Sequence, residues 1–333
     1  MSKIAVLGSG GFGLSLAVMT DAHNHKVTVW SAFSDEIEML KKEREHKALL
    51  PGVKINESIN LITDISGIND CDIVIFAIPS SFVRKIAKMA APFIKKDAVI
   101  VNAGKGLEDD TFKRLSEVLS EEIPENKVVS ISGPSHAEEV ALGYPTTVTA
   151  ASLDRDAMYY IQDELSNESF RIYACDDIIG VEMGGAMKNI IALCAGICDG
   201  MGYGDNTKAA LMTRGMTEIA RLGVKLGGRP ETFSGLSGVG DLIVTCTSMH
   251  SRNRRAGMLI GQGIAPAEAV AQVGTVEGYV CAKIVWKLAK EVGVSMPITE
   301  KLYDVFVENK SIKQALSELM KRPTCHETEF SWF

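Results

Sequence analysis

Short runs of β-branched and apolar residues alternate with polar, helix-periodic stretches through the first half of the chain. Lys3 to Leu7, Lys26 to Trp30, Cys71 to Ile78, Ala98 to Asn102 and Lys127 to Ser132 read as buried strands, with Thr146 to Ala151 and Phe170 to Tyr173 as late ones. Each is bounded by turn residues and followed by a helical pattern. The charged stretch from Asp35 to about Glu45 reads as a helix with Ser34 as its N-cap, ended by Leu50-Pro51-Gly52. Strands that recur with helices between them predict a doubly wound parallel sheet, with ligands outside the carboxyl ends of the strands. From about Ile178 the strand signals stop. Met183, Met187, Ile190, Ile191 and Cys194 recur at helical spacing, as do apolar positions in Leu211 to Leu226, Val285 to Val292 and Ile312 to Met320. The glycine-rich stretch Gly235 to Gly240 interrupts them. The pattern therefore predicts an α/β chain with a parallel-sheet domain over 1–178 and an all-helical domain over 179–333. The tail from Pro323 reads as poorly ordered, with Phe330, Trp332 and Phe333 as residues able to pack.

The turn after the first strand sharpens this picture. It reads Gly8-Ser9-Gly10-Gly11-Phe12-Gly13 and runs into LSLAVMTDAH. A G-x-G-x-x-G run with a strand before it and a helix after it is a dinucleotide-binding fingerprint of Rossmann type. Gly8 permits the tight turn, Gly10 lets the backbone approach a pyrophosphate, and Gly13 lets helix pack on strand. The helix N-terminus offers N–H groups and a positive dipole end to the phosphates. The first domain is read as the dinucleotide-binding one and the helical domain as the substrate-binding one.

Composition narrows what the chain does with that ligand. Its 333 residues are 46% hydrophobic and 23% charged, an ordinary globular balance and long enough for two cores. The net charge of −7 argues against nucleic acid or anionic membrane as partner. No signal-peptide pattern opens the chain, and the apolar runs Ile73 to Pro79 and Ile190 to Cys198 are too short to span a bilayer. The seven cysteines form no C-x-x-C pair; Cys194 and Cys198, four apart in an apolar run, read as buried thiols, and no metal site is expected. A reducing, cytoplasmic setting fits these features.

Several residues are able to carry chemistry. Lys188 lies in GGAMKNII, among small and apolar residues midway along a helix. Lysines are mostly exposed, so an outward-facing stripe is one reading. The glycines before it permit close approach of other backbone, and a partly buried lysine can donate or accept a proton near neutrality. Lys105 sits between two glycines at a strand's carboxyl end, where a plain loop lysine is the alternative. Ser135, with Glu138 three residues on, reads as a capping box that a crevice contact can accompany. His136 has no acid partner nearby in sequence. Asp241, after Gly238-Val239-Gly240, reads as a helix N-cap. The run Ser251-Arg252-Asn253-Arg254-Arg255 in an acidic chain fits a pocket for a single phosphate, a task suited to arginine's planar fork.

NAGKG at 102–106, SGPSHAEEV at 132–140, GGAMKN at 184–189, LSGVGDLIVTC at 236–246 and SRNR at 251–254 stand in this order behind the fingerprint. Together they resemble the bacterial-type NAD(P)-dependent glycerol-3-phosphate dehydrogenases, from Lys3 to about Lys321. The resemblance implies an oxidoreductase that interconverts dihydroxyacetone phosphate and sn-glycerol 3-phosphate, supplying the latter for phospholipid synthesis. It implies NAD(H) as cofactor, with NADP(H) as a second candidate, and a small phosphorylated substrate; a homodimer is an assembly to consider, although the sequence does not give the quaternary state. Lys188 would be the general acid–base at the substrate's C2 oxygen, with Lys105 binding substrate and cofactor. Asp241 and Thr245 would order the network of Lys188. Asn189, Ser251, Arg252 and Asn253 would hold the substrate, its phosphate chiefly on Arg252 and Asn253, and Gly133 and Ser135 would touch it. Gly11, Phe12, Ala137, Arg252 and Glu277 would meet the cofactor.

The chain departs from the family pattern twice. Ser31-Ala32-Phe33 follows the second strand where many relatives carry an arginine suited to a 2′-phosphate, and EGYVCAK lacks the arginine that often follows the tyrosine. NADH is therefore expected to serve at least as well as NADPH, with modest discrimination; Asp35 is the nearest acid, and Lys41, Lys42 and Lys47 are the cations within reach. A 3-hydroxyacid or 6-phosphogluconate-type dehydrogenase is the nearest rival, but those place an asparagine a full turn after the lysine, where this chain has Ala192. A non-catalytic dinucleotide sensor is the rival of another class, and it would need neither the two lysines and Asp241 nor a phosphate-binding arginine.

Overall fold

Alternate residues of the first strand face opposite ways, and in this chain both faces are apolar. In a computed structural model, which describes residues 1–324, 326 and 327, Ile4 and Val6 enter one buried cluster and Ala5 and Leu7 another. A strand buried on both faces lies inside a sheet covered by helices on each side. The chain divides into two compact units, Met1–Glu108 with Lys113–Ile178, and Asp109–Phe112 with Ile179–Phe333.

The first unit is built on an eight-stranded sheet: β1 Lys3–Leu7, β2 Lys26–Trp30, β3 Asn60–Ile62, β4 Ile73–Phe76, β5 Val99–Asn102, β6 Lys127–Ser132, β7 Thr146–Ala151 and β8 Phe170–Cys175. The spatial order is β3-β2-β1-β4-β5-β6-β7-β8. The chain grows outward from β1 in one direction and then in the other, so strand order reverses between β1 and β4, the place where such sheets take ligands. Register aligns the carboxyl ends there: Leu7 pairs with Trp30 on one side and Phe76 on the other. The Gly8 N–H donates to the Trp30 carbonyl at 2.9 Å, fixing the fingerprint turn over the end of β2.

Three expectations change here. The three-residue β3, flanked by turns, carries too short a pattern to be seen in sequence. The β7 strand runs antiparallel to β6. Between them the chain forms only the five-residue helix Ala137–Ala141, which rises about 7.5 Å, well short of the roughly 20 Å needed to carry it back along a six-residue strand. The helix Ser34–Glu43 starts at Ser34, with Phe33 at the N-cap position and no side-chain cap. Asp35 and Glu36 in its first turn meet the dipole instead.

The second unit is helical. Its longest helix, Ile178–Gly200, contains the apolar run Ile190 to Cys198 and extends it; by length and composition this 23-residue helix could cross a bilayer, but it is almost wholly buried within the protein. A helix apolar on all sides is a core helix when other helices cover it. Asp205–Lys225, Asp241–Thr247, Arg252–Gly261, Glu277–Val292 and Pro297–Val307 are among the remaining helices. Phe330, Trp332 and Phe333 lie outside the described residues.

Candidate active site

The fingerprint turn fits a pyrophosphate. Gly8 has φ +120°, and a Cβ there would lie 2.5 Å from the Ala77 carbonyl oxygen; a Cβ on Gly13 would lie 2.1 Å from the Gly8 carbonyl oxygen. Neither position accepts a side chain. A Cβ on Gly10, by contrast, would meet nothing within 4 Å. Gly10 is also the N-cap of the twelve-residue helix Gly11–Ala22, which no side chain caps. The first N–H groups of that helix thus face an open approach at its positive end, the arrangement that binds phosphate. A Cβ on Gly11 would stand 2.8 Å from the Leu49 carbonyl oxygen and 3.6 Å from the Cβ of Ala137. Ala137 and the fingerprint are therefore neighbours, although Gly13 and Ala137 stand 124 positions apart in the numbering.

A second cluster of the first unit gathers at the carboxyl ends of β5 and β6. The Lys105 ammonium and the Ser135 hydroxyl both donate to the Gly133 carbonyl, each at 2.9 Å. The capping box expected at Ser135 does not form: the helix starts at Ala137 with His136 as N-cap, and the Ser135 hydroxyl turns back to Gly133. Asn102, buried at the end of β5, accepts from the Gly104 N–H at 3.0 Å and donates to Ser130 Oγ at 3.3 Å. It stiffens the turn that carries Lys105. Nothing in NAGKG points to a role for Asn102, because a lone asparagine at a strand end looks like any turn residue.

The cluster in the second unit is built around a buried cation. Lys188 is 6% exposed, so the outward-facing reading does not hold. Its ammonium donates to the Asp241 carboxylate and, at 2.8 Å, to Thr245 Oγ1. The Thr245 hydroxyl sends its own hydrogen to the Asp241 backbone carbonyl at 2.6 Å, leaving a lone pair toward the lysine. Asp241 is 1% exposed and is not an N-cap. The preceding residues Leu236–Gly240 form a π-helical turn, closed by the Gly240 N–H on the Gly235 carbonyl at 3.1 Å, and this turn leads directly into the helix at Asp241. The turn comes close to the lysine's helix because Gly184 lacks a side chain; a Cβ there would lie 2.6 Å from the Ser237 carbonyl oxygen. Ionic groups this deeply buried persist only when paired and hydrogen-bonded, and both conditions are met.

A chain of amides runs beside it. Asn253 Nδ2 donates to Asn189 Oδ1 at 2.9 Å, and the Gly278 N–H donates to Asn253 Oδ1 at 2.8 Å. Asn189, Asn253 and the start of the helix Glu277–Val292, with Glu277 at its first position, are thereby joined. Ser251 caps the helix Arg252–Gly261, accepting from the Arg254 N–H at 3.2 Å. Arg252 is the first residue of that helix and exposed, so a guanidinium and a positive helix end share one place. Arg254 behaves differently. It donates to Asp199 at 2.7 Å and to the Thr247 carbonyl at 2.8 Å, while Lys208 holds the other Asp199 oxygen at 2.5 Å. The basic run thus divides into the exposed Arg252 and Arg255 and the structurally bonded Arg254, which sequence spacing could not tell apart.

The neighbouring thiol of Cys246 is pushed up to about 12 by burial and stays protonated. Burial raises the Cys194 and Cys198 thiols as well. Among the described residues no group of three or more histidine, cysteine or acidic side chains is arranged to hold a metal.

Comparison with known proteins agrees in both halves. Residues 3–158 match the family model described as NAD-dependent glycerol-3-phosphate dehydrogenase N-terminus, and residues 177–317 match its C-terminus. The chain is 48% identical to glycerol-3-phosphate dehydrogenase [NAD(P)+] of Bacillus subtilis (strain 168), over 99% of this chain and 97% of that one. It is 47% identical to the enzyme of the same name from Fusobacterium nucleatum, over 100% of both. The solved glycerol-3-phosphate dehydrogenase of Coxiella burnetii superposes with a TM-score of 0.92 at 35% identity, covering 96% of this chain and 99% of that one. The chain belongs to the NAD-dependent glycerol-3-phosphate dehydrogenase family.

Proposed function

We propose that the chain interconverts dihydroxyacetone phosphate and sn-glycerol 3-phosphate with NAD(H) in the cytoplasm, supplying glycerol 3-phosphate for phospholipid synthesis. The observation that carries the reading is the buried Lys188 ammonium held by Asp241 and Thr245. NAD(H), when bound, supplies or takes the hydride at C2. The chain's own residues do the rest. As the C2 carbonyl oxygen gains negative charge, the Lys188 ammonium stabilises it and delivers a proton. The lysine is then a neutral amine beside the buried Asp241 carboxylate, whose negative charge favours uptake of a proton from solvent before the next turnover. Oxidation runs the same transfers in reverse.

Around this step the roles divide by unit. In the first, Gly8, Gly10, Gly11, Phe12 and Gly13 hold the pyrophosphate, Ala137 flanks it, and Lys105, Gly133 and Ser135 meet cofactor and substrate. In the second, Arg252 at its helix N-terminus takes the substrate phosphate, supported by Ser251, Asn253 and Asn189, while Glu277 reaches the cofactor. Anchoring a small substrate by its remote phosphate holds C2 in one orientation, which lowers the entropic part of the barrier. An absorbance assay following NADH oxidation tests the whole reading. Turnover with dihydroxyacetone phosphate and none with 3-oxo acids is expected; the opposite pattern removes the glycerol phosphate assignment.

A further inference from the structure

We propose that Glu36 decides which dinucleotide this chain accepts: its carboxylate takes the 2′-hydroxyl of the adenosine ribose of NAD(H) and turns away the 2′-phosphate of NADP(H). The proposal rests on the dinucleotide reading of the fingerprint and adds a residue to it. As an acid in the first turn of the helix Ser34–Glu43, Glu36 has an ordinary role with the helix dipole. Its side chain does more than that. One carboxylate oxygen accepts from Ser31 Oγ at 2.8 Å and from the hydroxyl of Ser9; the other lies 3.3 Å from His46 Nε2. Ser9 stands inside the fingerprint turn, Ser31 is the first residue after β2, and His46 begins the turn whose Leu49 carbonyl lies against Gly11. His46 Nδ1 accepts from the Leu49 N–H at 3.2 Å, which assigns the ring hydrogen to Nε2 and makes it the donor to Glu36.

Three segments therefore pin one carboxylate at the carboxyl edge of β1 and β2, where a dinucleotide's adenosine ribose is read. A carboxylate offers about four acceptor sites, and these contacts use three, so a ribose hydroxyl can still be accepted. The partners named here are two hydroxyls and an imidazole, with no lysine or arginine side chain among them. The cations nearest in sequence are engaged elsewhere: Arg44 with Glu57 and the Asn56 and Ile59 carbonyls, Lys47 with Glu43. Lys41 and Lys42 lie in the last turn of the helix whose first turn holds Glu36. A 2′-phosphate at this edge would face a fixed negative charge, whereas a hydroxyl finds an acceptor.

Calorimetry on the full chain tests this without turnover, using ADP-ribose and 2′-phospho-ADP-ribose as probes. The wild type is expected to bind ADP-ribose at least about 30-fold more tightly, and Glu36→Gln, which keeps the shape and removes the charge, to narrow that ratio at least about tenfold. The narrowing comes from tighter binding of the phosphorylated probe. Ser31→Ala, which removes a donor and leaves the charge, should move the ratio less than about threefold. The kcat/KM ratio for NADH over NADPH follows the same order. Glu36→Gln weakening both probes by one factor makes the residue a mere brace of the turn and overturns the proposal. A wild-type ratio under about threefold overturns it with no variant needed. Wild type that binds neither probe overturns the dinucleotide reading itself, a distinct outcome.

Discussion

Lys105 and Lys188 sit in opposite surroundings. Lys105 hangs on a turn at the end of a strand, partly exposed, donating to the Gly133 backbone carbonyl. Lys188 stands midway along a 23-residue helix, buried, its ammonium against a buried carboxylate. A turn over a parallel sheet is held by the strands beneath it, and a half-hydrated lysine costs little to place there. Burying an ammonium and a carboxylate costs several kcal/mol per ion even after relaxation, and only their pairing and hydrogen bonds offset it. The first cluster is thus a set of separable contacts, whereas in the second the loss of one member strands another.

The largest expected difference is in stability. Asp241→Ala leaves the Lys188 ammonium buried without its counter-charge and should cost about 3–5 kcal/mol in denaturant unfolding. Lys105→Ala, which removes the hydrogen bond to the Gly133 carbonyl at a partly exposed turn, should cost about 1 kcal/mol. Equal losses would erase the contrast between the two clusters.

A smaller effect separates Arg252 from the structurally bonded Arg254 within the basic run. Arg252→Ala should lower kcat/KM for dihydroxyacetone phosphate by about 1.5–3 kcal/mol, the worth of a hydrogen bond to a charged group, with little loss of stability. Non-phosphorylated dihydroxyacetone should be far less affected. Equal losses on both substrates would assign Arg252 to the cofactor or the fold.

The smallest concerns a buried acid with no lysine against it. Glu218 accepts from the Ile298 N–H at 2.6 Å and from Thr299, capping the helix Pro297–Val307 from another helix, and burial pushes its carboxyl up to about 7. With the folded pKa above the ordinary value of 4.5, the folded state binds more protons across that window. Its contribution to stability is complete below about 4.5 and is lost as pH rises through about 7. Glu218→Gln, which carries no titrating proton, should flatten the profile by about 1–2 kcal/mol between about pH 5 and pH 7.5 relative to wild type. An unchanged slope would place the titrating group elsewhere.

The same contrast governs how much could be read from sequence. Strands buried on both faces and the glycine fingerprint announce themselves, because each demands particular residue types at fixed spacing. The turn lysine was visible for that reason. In the helical unit, periodicity gave helices but not which face Lys188 presents, since small and apolar neighbours occur on either. Asp241 looked like a cap because glycines before an acid usually end in one; the π-helical turn that puts it inside the helix depends on contacts with Gly184, fifty-seven positions earlier in the numbering. The antiparallel β7 followed from a connecting helix too short to return, a length that strand propensity does not report. At the ribose edge, Asp35 was the nearest acid in sequence, yet Glu36 is the one that folds back over β2, drawn by Ser9 and His46 from other segments.

Steady-state turnover of two variants tests most directly the proposed transfer of a proton by Lys188 at C2. Lys188→Arg keeps a cation beside Asp241 but offers a group that stays protonated; Lys188→Met removes the charge. Both are to be measured with NADH and dihydroxyacetone phosphate, beside ADP-ribose binding and a thermal melt to establish that the folded chain is being assayed. Lys188→Arg is expected to keep its fold and its ADP-ribose affinity while kcat falls by about 10²–10⁴, the range for a lost general acid–base, with Lys188→Met falling at least as far. A folded variant of either kind that retains more than about a tenth of wild-type kcat would contradict proton transfer by Lys188.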